Sequence, residues 1–406
     1  MKRYNVLNFA ITMVNPVLGF FSTTKDFLQG RDTSLIFAFC VALISVYFPV
    51  MWDTSSNFFM SYFGTYWGGF GDTYRPYISI PSYFMFQYNF DFYYFIFFSV
   101  FFITYTWSRI VYESTKELKL KYKGIILFSI LLLTFNYRDI LDLNRSALAC
   151  SIFFYYIFLI KNKNILKFLF FISLSIYIHN FMMVYLILYI LSFIKLSAKI
   201  NKIFLISSLF LGISLPFIVS MFSSIIVNIP IVGSGLYYYL YGDSFGVQTF
   251  TLGALLKRIV DVFLIGFVTY LILSKDQTNN RIVQLILYSA CLCLVFSSFV
   301  TFFERSSLAF SFLYVYVFSL NCNPVLKYII STVILFRNLI MYSFAYIWVI
   351  FGNVDNVITN QQVKYEILLK PFYYPTPMLL NIHDNGYSNE RILNNSIWGK
   401  ELSIEK

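Results

Sequence analysis

Residues Ile203–Phe222 read IFLISSLFLGISLPFIVSMF. They carry no charge, and their length suits an α-helix crossing a hydrocarbon core of about 30 Å. Similar apolar runs recur at about 33–51, 90–107, 124–136, 146–160, 164–178, 181–195, 256–274, 282–301, 307–320 and 328–351. A further segment, about 5–21, is interrupted by Asn8, Asn15 and Pro16. It reads either as a first span or as a helix lying in the interface. The expected fold is therefore all-α: a polytopic transmembrane helix bundle of about 11–12 spans.

Composition agrees. The chain of 406 residues is 59% hydrophobic and 12% charged, against roughly 45–50% and about 25% in soluble domains. A water-soluble fold cannot hide that much apolar surface, which excludes a soluble enzyme, a nucleic-acid binder and a disordered scaffold. A β-barrel is excluded as well, because barrel strands alternate in short segments and these runs are continuous. The net charge of +11, from 30 Lys+Arg against 19 Asp+Glu, reflects the orientation bias of membrane loops. With only two histidines no multi-His metal site can be built. Cys40, Cys150, Cys291, Cys293 and Cys322 read as small apolar residues, not as a disulfide framework or zinc site. No metal and no cofactor is expected.

Every second loop is basic: Arg109 with Lys116, Lys119, Lys121 and Lys123, then Lys161 and Lys163, then Lys195, Lys199 and Lys202, then Lys275 and Arg281, then Lys327. These loops are assigned to the cytoplasm. The outer loops are then about 52–89, 137–145, 179–180, 223–255 and 302–306. Residues 1–351 read as the transmembrane domain and 352–406 as a polar C-terminal tail on the outer side. Two outer loops, 52–89 and 223–255, are long and rich in aromatic residues. Such rings suit sugar faces, and equally an interfacial belt.

The outer face carries Arg75, Arg138, Arg145, Arg258 and Arg305, with Lys257, against the orientation bias. Arginine holds phosphate oxygens in pairs where lysine is a point charge. An anionic ligand would explain these residues; so would lipid headgroups, or the neighbouring Asp139, Asp142 and Glu304. Four constellations stand out. Gly71-Asp72-Thr73-Tyr74-Arg75-Pro76-Tyr77 places a carboxylate, an arginine and two phenols on one outer segment. It reads as an acceptor-hydroxyl site or as a solvated turn. Tyr137-Arg138-Asp139 leads to Asn144-Arg145-Ser146-Ala147-Leu148-Ala149. A span starting near Asp142 would put Arg145 in a first helical turn, where unpaired N–H groups already favour an anion. His179 lies at a tight outer turn, as acid, base or hydrogen-bonder. Phe303-Glu304-Arg305 forms a short outer hairpin. Arg337, mid-span, would face a cavity or a partner.

With these residues the chain resembles the EpsG-type branch of the Wzy polysaccharide polymerases. An Asp-x-x-x-x-Tyr pattern is matched by Asp72 through Tyr77, and an Arg-x-x-Leu-Ala opening of a span by Arg145 to Ala149, where Ser146 replaces the usual Gln. Lys161-Asn162-Lys163 then precedes a span ending in His179, and Arg305 precedes Tyr314 and Tyr316. The resemblance implies an O-antigen or similar polymerase of GT-C-like fold in the bacterial inner membrane, its active site facing the periplasm. It implies undecaprenyl-diphosphate-linked glycans as donor and acceptor, membrane lipid around them and a chain-length regulator protein as partner. Nucleic acid and cofactors have no part in it. Asp72, His179 and Glu304 are the expected catalytic candidates. Arg138, Arg145, Arg305, Arg258, Arg75, Tyr74 and Tyr77 are the expected substrate or diphosphate ligands. A lipid-linked oligosaccharide flippase and an O-antigen ligase are the competing readings. The flippase should show pseudo-symmetric halves, short outer loops and charges near the bilayer centre, whereas this chain has long outer loops and gathers its outer charges at one rim.

Overall fold

The computed structural model describes residues 3–48, 87–117, 123–134, 144–222, 252–274, 280–319, 324–351 and 368–389, with 80, 83–85, 140, 225 and 228 between them. Every regular element among the described residues is a helix. Among the described residues two helices are long and apolar enough to cross a membrane, Phe92–Thr115 and Ala198–Met221, and Ser34–Val46, Ile165–Ile178, Met182–Leu191 and Arg281–Val295 are shorter apolar helices. The chain divides into two compact units: residues 1–180 with 334–406, and residues 181–333.

The first unit opens with helix α1 (Arg3–Val14) and helix α2 (Pro16–Leu28). The expected segment 5–21 is thus neither one span nor one interfacial helix; it is broken into a helical hairpin. Asn15 explains the break: its Oδ1 accepts from the backbone N–H groups of Val17 and Leu18. Pro16 occupies the first position of α2, where no N–H is needed. The two helices touch closely, since a Cβ on Gly19 would lie 2.3 Å from Thr12 Oγ1. Polar bonds tie them together: Asn8 Nδ2 donates to Asp26 Oδ2 at 2.8 Å, and Ser22 Oγ to Asn8 Oδ1 at 2.6 Å. Small residues and buried polar pairs are what holds helices together in a solvent as apolar as the protein.

Helix α3 (Ser34–Val46) and helix α4 (Phe92–Thr115) form the centre of this unit. Phe37, Val41, Leu43, Val100, Trp107 and Val111 are buried there. α4 runs past the expected end at 107, so Arg109 is a helical residue and not a loop residue. Its guanidinium pairs with Asp32 and with Glu113, the latter at 2.6 Å. Helix α5 (Lys123–Thr134) follows. Helix α6 (Asn144–Phe154) continues as a π-helical turn, Tyr155–Leu159, and packs against helix α7 (Ile165–Ile178). At the end opposite Arg109, residues 368–389 return to the same unit. Asn15 Nδ2 donates to the carbonyls of Pro371 and Tyr374, Thr376 bonds the Thr12 carbonyl, and Tyr47 bonds that of Leu379. The buried Asp91 accepts from the backbone N–H of Asn389 and pairs with His383, both at 2.9 Å.

The second unit holds helix α8 (Met182–Leu191), α9 (Ala198–Met221), α10 (Leu252–Ser274), α11 (Arg281–Val295), α12 (Val300–Ser319) and the start of α13 (Pro324–Phe351). One stripe of α9 is buried: Asn201, Leu205, Ser208, Gly212 and Val219. These positions recur at helical spacing, so a single face meets α10 and α11. At one end of the unit Arg281 stacks over the rings of Phe193 and Tyr189, with centroids 3.3 and 3.6 Å away. At the other end α11 and α12 are separated only by Phe296–Phe299. The hairpin expected at 302–306 is instead the first turns of α12.

Candidate functional site

The first cluster is built by α6 and α7. They run antiparallel: Ser175 Oγ donates to the Ala149 carbonyl at 2.8 Å, and further along Tyr155 stacks on Phe171 while Tyr156 meets the same ring at a tilt. Arg145 lies one turn beyond Ala149, and His179 one turn beyond Ser175, toward the same end. α6 begins at Asn144, so Arg145 stands in its first turn. Three features coincide there: first-turn N–H groups, the positive end of the helix dipole and a guanidinium. His179 closes α7; its backbone N–H donates to the Ser175 carbonyl at 3.0 Å, and its ring is buried. An arginine and an imidazole at one rim can hold an anion and exchange a proton beside it.

The second cluster lies at the α10 start and the α11–α12 junction. Arg258 Nη1 donates to the Ser297 carbonyl at 3.1 Å. The guanidinium lies over the Phe303 ring, 4.0 Å from its centroid. Stacking uses the guanidinium face and leaves its in-plane fork for oxygen acceptors. Glu304 and Asp261 act on its charge through space. Glu304 and Arg305 are half-buried in the opening turns of α12. The next residue, Ser306, is anchored from α8 by Tyr185, whose hydroxyl donates to its carbonyl at 3.1 Å.

Arg145 and His179 therefore share one end of one unit, and Arg258, Glu304 and Arg305 share one end of the other. Asp72, Tyr74, Arg75, Tyr77 and Arg138 lie outside the described residues. Arg337 sits on α13 and donates to Asn338 Oδ1 at 2.9 Å. Among the described residues no group of His, Cys, Asp and Glu could hold a metal ion.

Sequence reasoning overlooked the residues that support Arg258. Phe303 is the ring beneath it, and Ser297 accepts from it through its carbonyl. A backbone acceptor leaves no trace in sequence. Gly212 and Pro216 did carry a signal, since a Gly and a Pro four apart inside an apolar run mark a helix bent for close packing.

The EpsG family model matches residues 79–367, a stretch that takes in α4 through α13 and both clusters. No curated protein and no solved structure matches the chain. The family match supports a polysaccharide-related, glycosyltransferase-like polymerase function, and with the long apolar helices it supports a membrane protein. The match covers well over half of the sequence, and the chain belongs to the EpsG family.

Proposed function

We propose that this chain polymerises undecaprenyl-diphosphate-linked repeat units of an O-antigen or similar surface polysaccharide. It works in the bacterial inner membrane with its active site facing the periplasm. Donor and acceptor are both lipid-linked, and a chain-length regulator acts alongside. The observation that carries this reading is Arg145 in the first turn of α6, at the same end as His179, within the region matched to the family.

In the reaction, the hydroxyl oxygen at the acceptor's non-reducing end bonds to the anomeric carbon of the donor glycan. The bond from that carbon to the diphosphate oxygen breaks, and its electron pair stays on the diphosphate. The hydroxyl proton passes to Asp72, His179 or Glu304. Undecaprenyl diphosphate leaves, its charge held by Arg145, Arg138, Arg305 and Arg258, while Arg75, Tyr74 and Tyr77 orient the sugar. Fixed guanidinium groups aimed at a developing charge are an effective form of stabilisation because they need no reorganisation during the step.

Deletion of the gene followed by gel analysis of the surface polysaccharide tests the proposal. A polymerase predicts collapse of a ladder to the core plus a single repeat, because export and ligation continue. Loss of even the single repeat would favour the flippase or the ligase. An unchanged ladder would contradict all three.

A further inference from the structure

The end of the second unit that holds Arg258 is assembled beside Pro216, which lies inside α9. Pro216 has no N–H, so the helix bond it would make to the carbonyl four residues earlier cannot form. That carbonyl is Gly212, and Ser298 Oγ donates to it at 2.9 Å. The lack of a side chain at Gly212 is what lets the junction come so near: a Cβ there would lie 2.0 Å from the Leu294 carbonyl and 2.9 Å from Ser297 Oγ. Leu215 and Val219 of α9 pack with Phe296 and Phe299 of the junction and Phe302 of α12. Phe296 and Phe302 stack with centroids 4.8 Å apart. The junction is thus held against α9 by the Ser298 hydrogen bond and by this apolar cluster.

Ser298 is the link. Its hydroxyl fixes the junction to α9, and the adjacent Ser297 carbonyl accepts from Arg258. A path therefore runs from the missing N–H of Pro216, through the Gly212 carbonyl and the Ser298 hydroxyl, to the Ser297 carbonyl and the Arg258 fork. We propose that Ser298, bonded to the Gly212 carbonyl that Pro216 leaves without its helix partner, is a positioning residue that aims the Arg258 guanidinium at the diphosphate of a lipid-linked glycan. This rests on the function proposed above. It adds a residue that touches no substrate and still sets how well the diphosphate is held.

The test uses the full-length protein purified in detergent, with undecaprenyl diphosphate as the probe and binding read by titration. Ser298→Ala removes the hydroxyl, Ser298→Thr keeps it, and each is also placed in an Arg258→Ala background. Ser298→Ala is expected to weaken probe binding about tenfold, the scale of one well-placed hydrogen bond. Ser298→Thr should restore binding, and Ser298→Ala should add nothing once Arg258 is gone. Thermal unfolding is recorded alongside, so that a general loss of structure is separated from a loss of aim. Unchanged binding in Ser298→Ala overturns the proposal, and so does a loss that adds fully to that of Arg258→Ala. Failure of the wild-type protein to bind the probe also overturns it, because Arg258 would then have no diphosphate to meet. Whether the polymerase reading survives is decided separately by the deletion ladder.

Discussion

Among the described residues, helices α4 and α9 are the two long apolar helices, and they are built in opposite ways. α4 is the less apolar of the pair and the more buried: 61% of its most apolar stretch is inside its unit, against 22% for α9. Along α4 the buried positions include Ser99, Thr104, Thr106, Ser108 and Thr115, most of them bonding a carbonyl of the preceding turn. Along α9 the outward positions are Ile203, Phe204, Ile206, Phe210, Ile213 and Phe217. In water this would be inside out. In a bilayer it is expected, because lipid tails accept apolar side chains as readily as a core does and polar groups must find partners within the protein. α4 is held by polar ties at both ends, whereas α9 is seated by its buried stripe and by the close approach at Gly212, where Ser298 bonds the Gly212 carbonyl.

Each difference can be attacked. The largest effect should come from the tight approach. Gly212→Ala forces a Cβ against the Leu294 carbonyl, where neither helix can yield, and is expected to destabilise the protein by about 3 kcal/mol. A clear fall in the thermal unfolding midpoint in detergent checks this, and an unchanged midpoint would mean that α9 is not seated on α11 as described.

Next comes the tie at the start of α4. Asp91→Ala leaves the Asn389 N–H without its carboxylate and removes the His383 pair, at a cost of about 2 kcal/mol. It should make residues 368–389 more sensitive to limited proteolysis than in the wild type; equal cleavage would deny that Asp91 holds that segment.

The other end of α4 should matter less. Arg109→Ala removes the pairs to Asp32 and Glu113, but all three side chains are near 30% exposed, so solvent screening keeps the effect to about 1 kcal/mol or below. Raising the salt concentration should shrink it further. The smallest change should follow Phe210→Ala on the outward face of α9, where no packing is lost, within about 0.5 kcal/mol. A large destabilisation there would show that the face is covered by protein and would undo the comparison.

How much of this was legible in sequence follows from the same contrast. Ile203–Phe222 could be read as a span because lipid exposure demands unbroken apolarity. The hairpin of α1 and α2 was harder: Asn15 and Pro16 were seen as an interruption, but only their capping geometry turns an interruption into a reversal. Glu304 and Arg305 were read as loop residues because they are charged, yet the opening turns of a helix tolerate charge and α12 begins at Val300. The return of residues 368–389 to Asn15, Tyr47 and Asp91 joins positions some 300 apart in sequence, and local patterning carries no record of such pairing. The candidate site is legible to the extent that it rests on charged side chains, which is what singles out Arg145, His179, Arg258, Glu304 and Arg305 as candidates. The backbone carbonyls of Ser297 and Gly212 behind Arg258 leave no such mark.

The central claim is that the Arg145 end of α6 holds the diphosphate of the growing chain. Its most direct test is complementation of the deletion strain with Arg145→Lys, with the chain-length ladder read on a gel and the protein quantified in the membrane. Lysine keeps the charge and loses the paired geometry. The account predicts normal protein levels and collapse to a single repeat. A wild-type ladder from the lysine variant would contradict it and take Arg145 out of the site.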